Sequence, residues 1–214
     1  LYGALNEMVR EPLTRIREKW TELLGAEIEE KEWKRMVAYP HKVSRNTRLK
    51  YIQLNYLHQT YLTPKKLQTI YRDGPRKCPR CMREGADFEH MMWGCPIVQR
   101  FWSAVLSKIG GALEREIQCT MAVCLMGAFP RPKKNKVGNK FIDLALVLAR
   151  RGITIAWKSP EGPNKDRWEK EVQKWAEAEQ QTLRREEAKG LRKRPMAADW
   201  ATVISNFVEE EEQE

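Results

Sequence analysis

Eighteen residues near the middle of the chain, Cys78 to Cys95, constrain its folding more than any other feature. Cys78-Pro79-Arg80-Cys81 is followed by His90 and then Cys95, a Cys-x2-Cys-x8-His-x4-Cys pattern. Four ligands of the kind Zn²⁺ prefers, opened by a tight Cys-x2-Cys turn, suit tetrahedral coordination. The two leading thiolates converge only if the backbone turns sharply between them. The four-residue gap puts His90 and Cys95 on one side of a return loop, and Gly85-Ala86-Asp87-Phe88 is expected to form the intervening turn. Pro96 then opens a helix, so Cys95 sits at its N-terminus, where backbone amides and the helix dipole favour thiolate over thiol.

With every position filled by protein, no place remains for a water, so the pattern implies one structural Zn²⁺ per chain and no hydrolytic centre. Binding is expected to supply folding free energy on the order of 10 kcal/mol and to be lost in acid as the ligands protonate. Cys78→Ser or Cys95→Ser is expected to unfold this segment locally and to spare most of the helix content. The competing reading, ordinary buried cysteines and a core histidine, fits the spacing poorly. Cys119 and Cys124 lie five apart in an apolar run and read as core packing. His41 and His58 have no partner at ligand spacing and read as packing or surface residues.

The charge gathers in the same region. The 214 residues carry 39 bases and 29 acids, a net +10. Between Lys42 and Arg83 stand Lys42, Arg45, Arg48, Lys50, Lys65, Lys66, Arg72, Arg76, Lys77, Arg80 and Arg83, 11 bases against the single acid Asp73. The 28 bases and 28 acids elsewhere cancel, so the whole excess lies in about a fifth of the chain. Charge at this density calls for a polyanion, and RNA or DNA is the expected partner. Phe88, Trp93 and Trp102 offer ring faces to unpaired bases, although their helix-like spacing beside a metal loop suits packing better.

Periodicity places helices around this segment. Residues 13–24 form an amphipathic helix stopped by Gly25, and a second covers Glu27–Val37, closing before Pro40. Leu49, Ile52 and Tyr56 mark a third between Asn46 and Gln59. Thr63-Pro64 starts a fourth that runs to about Arg72 and stops at Gly74-Pro75. Ile97, Phe101, Val105 and Ile109 line the helix after Pro96, which ends at Gly110-Gly111. Residues 117–129 are apolar and read as helical, and Arg131–Lys140 as a basic loop. Phe141–Trp157 is apolar nearly all round, as in a central buried helix, with a strand through Gly152–Trp157 as the local alternative. After the break at 159–163, Trp168, Val172, Trp175 and Leu183 mark a long charged helix expected to project or pack loosely. The acidic end around Glu209–Glu212 is expected to fray.

The fold class is therefore mostly α: a helical domain with a small CCHC zinc-knuckle-like insert, then a long charged helix. The expected divisions are residues 1–40 as N-terminal helices, 41–158 as the helical domain holding the knuckle at 77–96, and 163–214 as a charged tail. No apolar run approaches the roughly 18 residues of a membrane span. Five cysteines, an odd and small number, argue against a disulfide framework and for a reducing intracellular setting, cytoplasmic or nuclear. The start at Leu1, with neither an initiator Met nor a leader pattern, suggests a piece of a longer product.

Several motifs in order give the chain a family likeness. Leu57-His58, Tyr61-Leu62-Thr63-Pro64, the Cys/His pattern, Phe101-Trp102, Ala149-Arg150-Arg151 and Ile155-Ala156-Trp157-Lys158 together resemble the zinc-binding C-terminal region of LINE-type (L1-like) non-LTR retrotransposon reverse transcriptases. The likeness spans roughly Trp33 to Trp168. It implies an accessory region that follows the polymerase domain and helps grip template RNA and target DNA, with Cys78, Cys81, His90 and Cys95 as zinc ligands. The rest of the polyprotein is then a second partner. Polymerase chemistry needs clustered aspartates holding two metal ions. The five aspartates here (Asp73, Asp87, Asp143, Asp166 and Asp199) stand far apart. The gap before His90 is eight residues where the retroviral zinc knuckle has four, so that module's base contacts do not transfer.

No nucleophile–base pair, phosphate-binding glycine loop or open metal site is legible, so no catalytic residue, small-molecule substrate or membrane partner is expected. The alternative is a zinc-stapled helical scaffold for protein interaction. It would dock through the Trp168–Leu183 helix and the acidic tail, and a large exposed apolar patch on that helix would favour it.

Overall fold

Short polar caps decide where most of the helices begin in the computed structural model, which describes residues 14–43, 46–71, 73–191 and 196–209. The first helix, α1, covers residues 14–24 of the described chain and buries Ile16 and Trp20 one turn apart. Gly25, at φ +63°, ends it. Helix α2 (Glu30–Val43) starts three residues later than periodicity suggests and runs through Pro40 instead of closing before it. Trp33, Met36 and Val43 explain the extension: all three are buried on one helical face, and that burial outweighs the loss of one amide donor.

Asn46 caps α3 (Thr47–Leu57) by accepting from the Leu49 amide, and Thr63 caps α4 (Pro64–Ile70) by accepting from Lys66. A π-helical turn (His90–Gly94) leads into α5 (Pro96–Ala112), which passes through Gly110-Gly111 because Ile109 and Ala112 stay buried. The apolar run after residue 117 supplies only the short α6 (Met121–Met126), capped by Thr120 and closed by Gly127 at φ +65°. Asn135 caps α7 (Lys136–Ile155) within the expected basic loop, and Gly152–Ile155 is helix, not strand. Helices α8 (Lys165–Ala188) and α9 (Ala197–Glu209) complete the order. Among the described residues there is no strand, and Lys77 and Glu84 form an isolated antiparallel bridge. No described helix is long and apolar enough to cross a membrane.

Helix α7 is the axis of the core. It packs against α2, α3, α5, α6, α8 and α9 and buries side chains on nearly every side. The long charged helix does not project: Trp168, Val172, Ala176 and Leu183 lie buried, with α7 and α9 against them. The Trp168 indole donates to Ala145 O (3.0 Å), and Lys140–Glu179 and Arg151–Glu171 ion pairs tie α8 to α7. Helix α9, which no motif announced, buries Trp200 and Phe207 against Phe141. One contiguous apolar cluster runs from Ile16 to Phe207, drawing on all three expected divisions. The acidic end at 210–214 lies outside the described residues.

Candidate metal centre

The Cys-x2-Cys half is built by a tight turn on the Lys77–Glu84 bridge. The Cys78 amide donates to Arg83 O (2.8 Å), the Met82 amide to Cys78 O (2.9 Å) and the Gly85 amide to Arg76 O (3.0 Å). This folds the chain back within six residues and aims the first two sulfurs the same way. It requires left-handed backbone at Met82 (φ +63°) and Gly85 (φ +62°). The expected turn at 85–88 is shorter than its four residues, because Phe88 already begins the next helical segment.

The His-x4-Cys half has a different origin. The Cys95 amide donates to His90 O (2.9 Å), an i to i+5 bond that closes the π-helical turn over this spacing. An α-helical turn would carry the two side chains apart by a further fraction of a turn; the wider π turn returns them to one face. Asp87 fixes the start, its Oδ1 accepting from the His90 amide (3.0 Å). Cys95 is then the N-cap of α5, with Pro96 behind it.

The two halves meet. One donor atom from each of Cys78, Cys81, His90 and Cys95 lies within 4.8 Å of every other, and Cys81 Sγ is 3.3 Å from His90 Nε2. Ligands about 2.0–2.3 Å from a tetrahedral ion stand roughly 3.5 Å apart, so this quartet is placed to hold a metal ion. Nε2 is the nitrogen on the sulfur side; Nδ1 lies buried beside Gly94 without a hydrogen-bond partner. Cys78, His90 and Cys95 are buried and Cys81 is half-exposed, so the cluster is sealed except at one sulfur.

Electrostatics prepare the donors. Burial opposes ionisation of Cys95, but the nearby Val98 and Ile97 amides, the Cys81 thiol and Arg80 outweigh it and hold this thiol below its usual range. Burial and the neighbouring sulfurs push Cys81 up. Burial, with Arg83 and Arg80 nearby, holds His90 below the usual imidazole range, which keeps it neutral and able to ligate.

Arg80 is not where a phosphate contact would be. It is 7% exposed, donates from Nη1 to Met91 O (2.7 Å) and turns toward the sulfurs of Cys78, Cys95 and Cys81. Its guanidinium stands 5.9 Å from the Trp157 ring centroid, and Gly162 passes over its stem, where a Cβ would meet Arg80 Cδ at 3.6 Å and Ile97 Cγ2 at 2.6 Å. Three thiolates and a neutral imidazole around a divalent ion would leave a net negative charge, which a buried cation beside them would offset.

The other bases divide. Lys42, Arg48, Lys65, Lys66, Arg76, Lys77 and Arg83 are exposed and Lys50 is half-exposed; Arg45 and Arg72 lie outside the described residues. Lys65 pairs with Asp87 (3.6 Å) and Lys77 with Glu84 (3.7 Å), both acids of the metal loop. The expected stacking rings also divide. Phe88 and Trp102 are core residues, Phe88 packing on Trp20 and Tyr56 and the Trp102 indole donating to Met92 O (2.9 Å), while Trp93 is half-buried. His58 is exposed, and the His41 side chain is outside the described set.

Cys124 is buried as expected, but Cys119 is exposed because it precedes the Thr120 cap and so falls outside α6. A hydrogen bond from the Cys124 thiol lowers Cys119 to about 7 against the opposing effect of burial. Sequence reasoning also missed Arg150, 1% exposed in the middle of the core. It donates to Gln53 Oε1 (3.1 Å) and to Cys124 O and Leu125 O (3.0 Å each), closing the carbonyl end of α6. The available signal was the Arg150-Arg151 pair at the end of the apolar run of α7, where one of two adjacent bases must turn toward the core.

No family model matches the chain.

Proposed function

We propose that this chain is a nucleic-acid-binding accessory region of a LINE-type non-LTR retrotransposon reverse transcriptase, acting on RNA or single-stranded DNA. In this reading a structural zinc ion holds the binding surface, and no catalytic centre lies in the chain. One observation carries it: the segment that supplies the entire net charge runs into the four-donor cluster, holding Cys78 and Cys81 with His90 and Cys95 just beyond it, and seven of that segment's bases are exposed. A metal-held turn presents such groups to phosphate at a reduced ordering cost. Three sulfurs and one imidazole are the donor set of structural zinc.

Two of the motifs that carry the resemblance also support it, because they meet in space. Tyr61 stacks on Trp157 (centroids 5.1 Å), and the Trp157 indole donates to Leu62 O (2.8 Å). The apolar stripe of α8, one of the two surfaces the scaffold reading called on, is covered by α7 and α9, which favours the nucleic-acid reading; the acidic tail lies outside the described residues.

The test is a titration of the metal-loaded chain with RNA and single-stranded DNA at two salt concentrations. Affinity should fall by one or more orders of magnitude between about 50 and 200 mM salt, as several counterions are released. Neutralising Arg48, Lys65 and Lys66 together should flatten that slope. Binding that ignores salt, or no binding, would overturn the reading, as would a purified chain that extends a primer or nicks DNA unaided.

A further inference from the structure

We infer that Tyr51, Tyr61 and Trp157 form a base-stacking strip, so that the partner taken here is an unpaired strand and not a duplex. The inference rests on the nucleic-acid reading above and adds to it a site that reads the unpaired bases. The fold treats its aromatic residues in two ways. Trp20, Trp102, Trp168 and Trp200 are fully buried and pack the core. Tyr51 is 64% exposed, and Tyr61 and Trp157 are half-buried. Tyr61 and Trp157 are not merely left over at the surface, because hydrogen bonds fix them in place.

Tyr61 donates its hydroxyl to Ile52 O (3.4 Å), which ties it to the turn of α3 that carries Tyr51. Trp157, tilted 35° to Tyr61, is pinned by its indole bond to Leu62 O, with Arg80 behind it. The strip therefore runs from the outer face of α3 to the metal loop. Tyr51 leaves its ring open to solvent, the Tyr61–Trp157 pair continues the aromatic surface beyond it, and a ring face is what a nucleobase stacks on.

The charge around the strip fits the same occupant. Arg48 lies one turn before Tyr51 on the exposed face of α3. The Lys66 ammonium sits against Tyr61 O (3.2 Å) and Gln59 O, close to Lys19 of α1. Among the described residues none of Lys19, Arg48, Lys50 and Lys66 forms an ion pair, and residues 42–72 contain no acid. A phosphate backbone beside stacked bases supplies both the rings and the negative charge that this surface lacks. A duplex offers only phosphate, because its base faces are already stacked.

The experiment uses the full metal-loaded chain with labelled 20-nucleotide oligo(dT) and oligo(rU) and a 20-base-pair duplex, followed by fluorescence anisotropy. Wild type should bind the strands at least about 10-fold tighter than the duplex at equal salt. Tyr51→Ala should weaken strand binding about 5- to 100-fold, the range of one base–aromatic stack, and leave duplex binding unchanged. Tyr51→Phe should retain it, since a ring face is all that is needed. Lys66→Gln should weaken both ligands and shorten the salt slope by about one. Salt-dependent strand binding that survives both Tyr51→Ala and Trp157→Leu overturns the strip and leaves the nucleic-acid reading standing. Competition by poly-glutamate as strong as by oligo(dT) at equal charge also overturns it, assigning the surface to acidic protein. No binding of any oligonucleotide removes the underlying reading instead.

Discussion

A buried arginine needs a reason, because its charge cannot be shed and its desolvation costs several kcal/mol. For Arg80 the reason is three sulfurs. It stands between the first two ligands in sequence, faces Cys78, Cys95 and Cys81, and is backed by Trp157. Arg80→Met should therefore lower metal affinity about 10- to 100-fold, the usual cost of removing a group that supports the ligands, as read by competition with a chromogenic chelator. Arg80→Lys should recover part of that loss, restoring charge without the planar stack on the indole. If Arg80→Met keeps its metal but loses affinity for nucleic acid, the side chain is a phosphate contact after all. The four converging donors were legible residue by residue, because the spacing of such a cluster is local. Arg80 was not: sequence alone assigns every base in a basic run to the surface, and only the convergence of three thiols from two turns makes an interior position favourable for one of them.

Two local devices make the loop, and they differ in how visible they were. His-x4-Cys announced itself through spacing, and the π-helical bond from the Cys95 amide to His90 O is the backbone form that this spacing takes. The Cys-x2-Cys turn hid its requirement: it places Met82, exposed and not glycine, at φ +63°. A residue with a Cβ pays about 1 kcal/mol for that conformation. Met82→Gly should stabilise the loop by up to about 1 kcal/mol, less the chain entropy glycine adds to the unfolded state. Titration should show this as a metal affinity raised about two- to fivefold, with unchanged stoichiometry. Lower affinity would mean that the methionine side chain contributes a contact worth more than the strain. Helix boundaries failed by the same logic of hidden tertiary context. Helix α2 continues through Pro40 because Trp33, Met36 and Val43 share one buried face, and α9 went unread because Trp200 and Phe207 find their partner, Phe141, far away in sequence.

At the scale of the molecule the metal loop is part of the core and not an appendage, which changes the expected outcome of removing the ion. The sequence suggests a small insert that would unfold alone. In the fold, Cys78, Ala86, Phe88, Met91, Met92 and Cys95 belong to the same apolar cluster as the long helices. Phe88 meets Trp20 edge-on (5.9 Å, 87°) and Tyr56 (5.6 Å), so it joins α1 to α3, and Met92 O holds the Trp102 indole of α5. Losing the ion leaves three thiols and an imidazole without their common partner under these contacts. The disturbance should then reach α1, α3 and α5 together. A structural ion of this type contributes on the order of 10 kcal/mol to a peptide with no other core; embedded in a helical domain, about half of that is a reasonable share. For a chain of this length each kcal/mol moves Tm by roughly 2–4 °C. Chelation should thus lower Tm by roughly 10–20 °C, with far-UV circular dichroism and tryptophan fluorescence moving through one coincident transition. Acidification should act in the same direction. His90 is held below the ordinary imidazole range in the folded chain, so the stability it contributes is present above the unfolded value and is lost as pH falls through the two. If chelator instead changes the fluorescence while the far-UV transition stays in place, the loop unfolds by itself, and the contacts of Phe88 and Met92 contribute little to the stability of the whole.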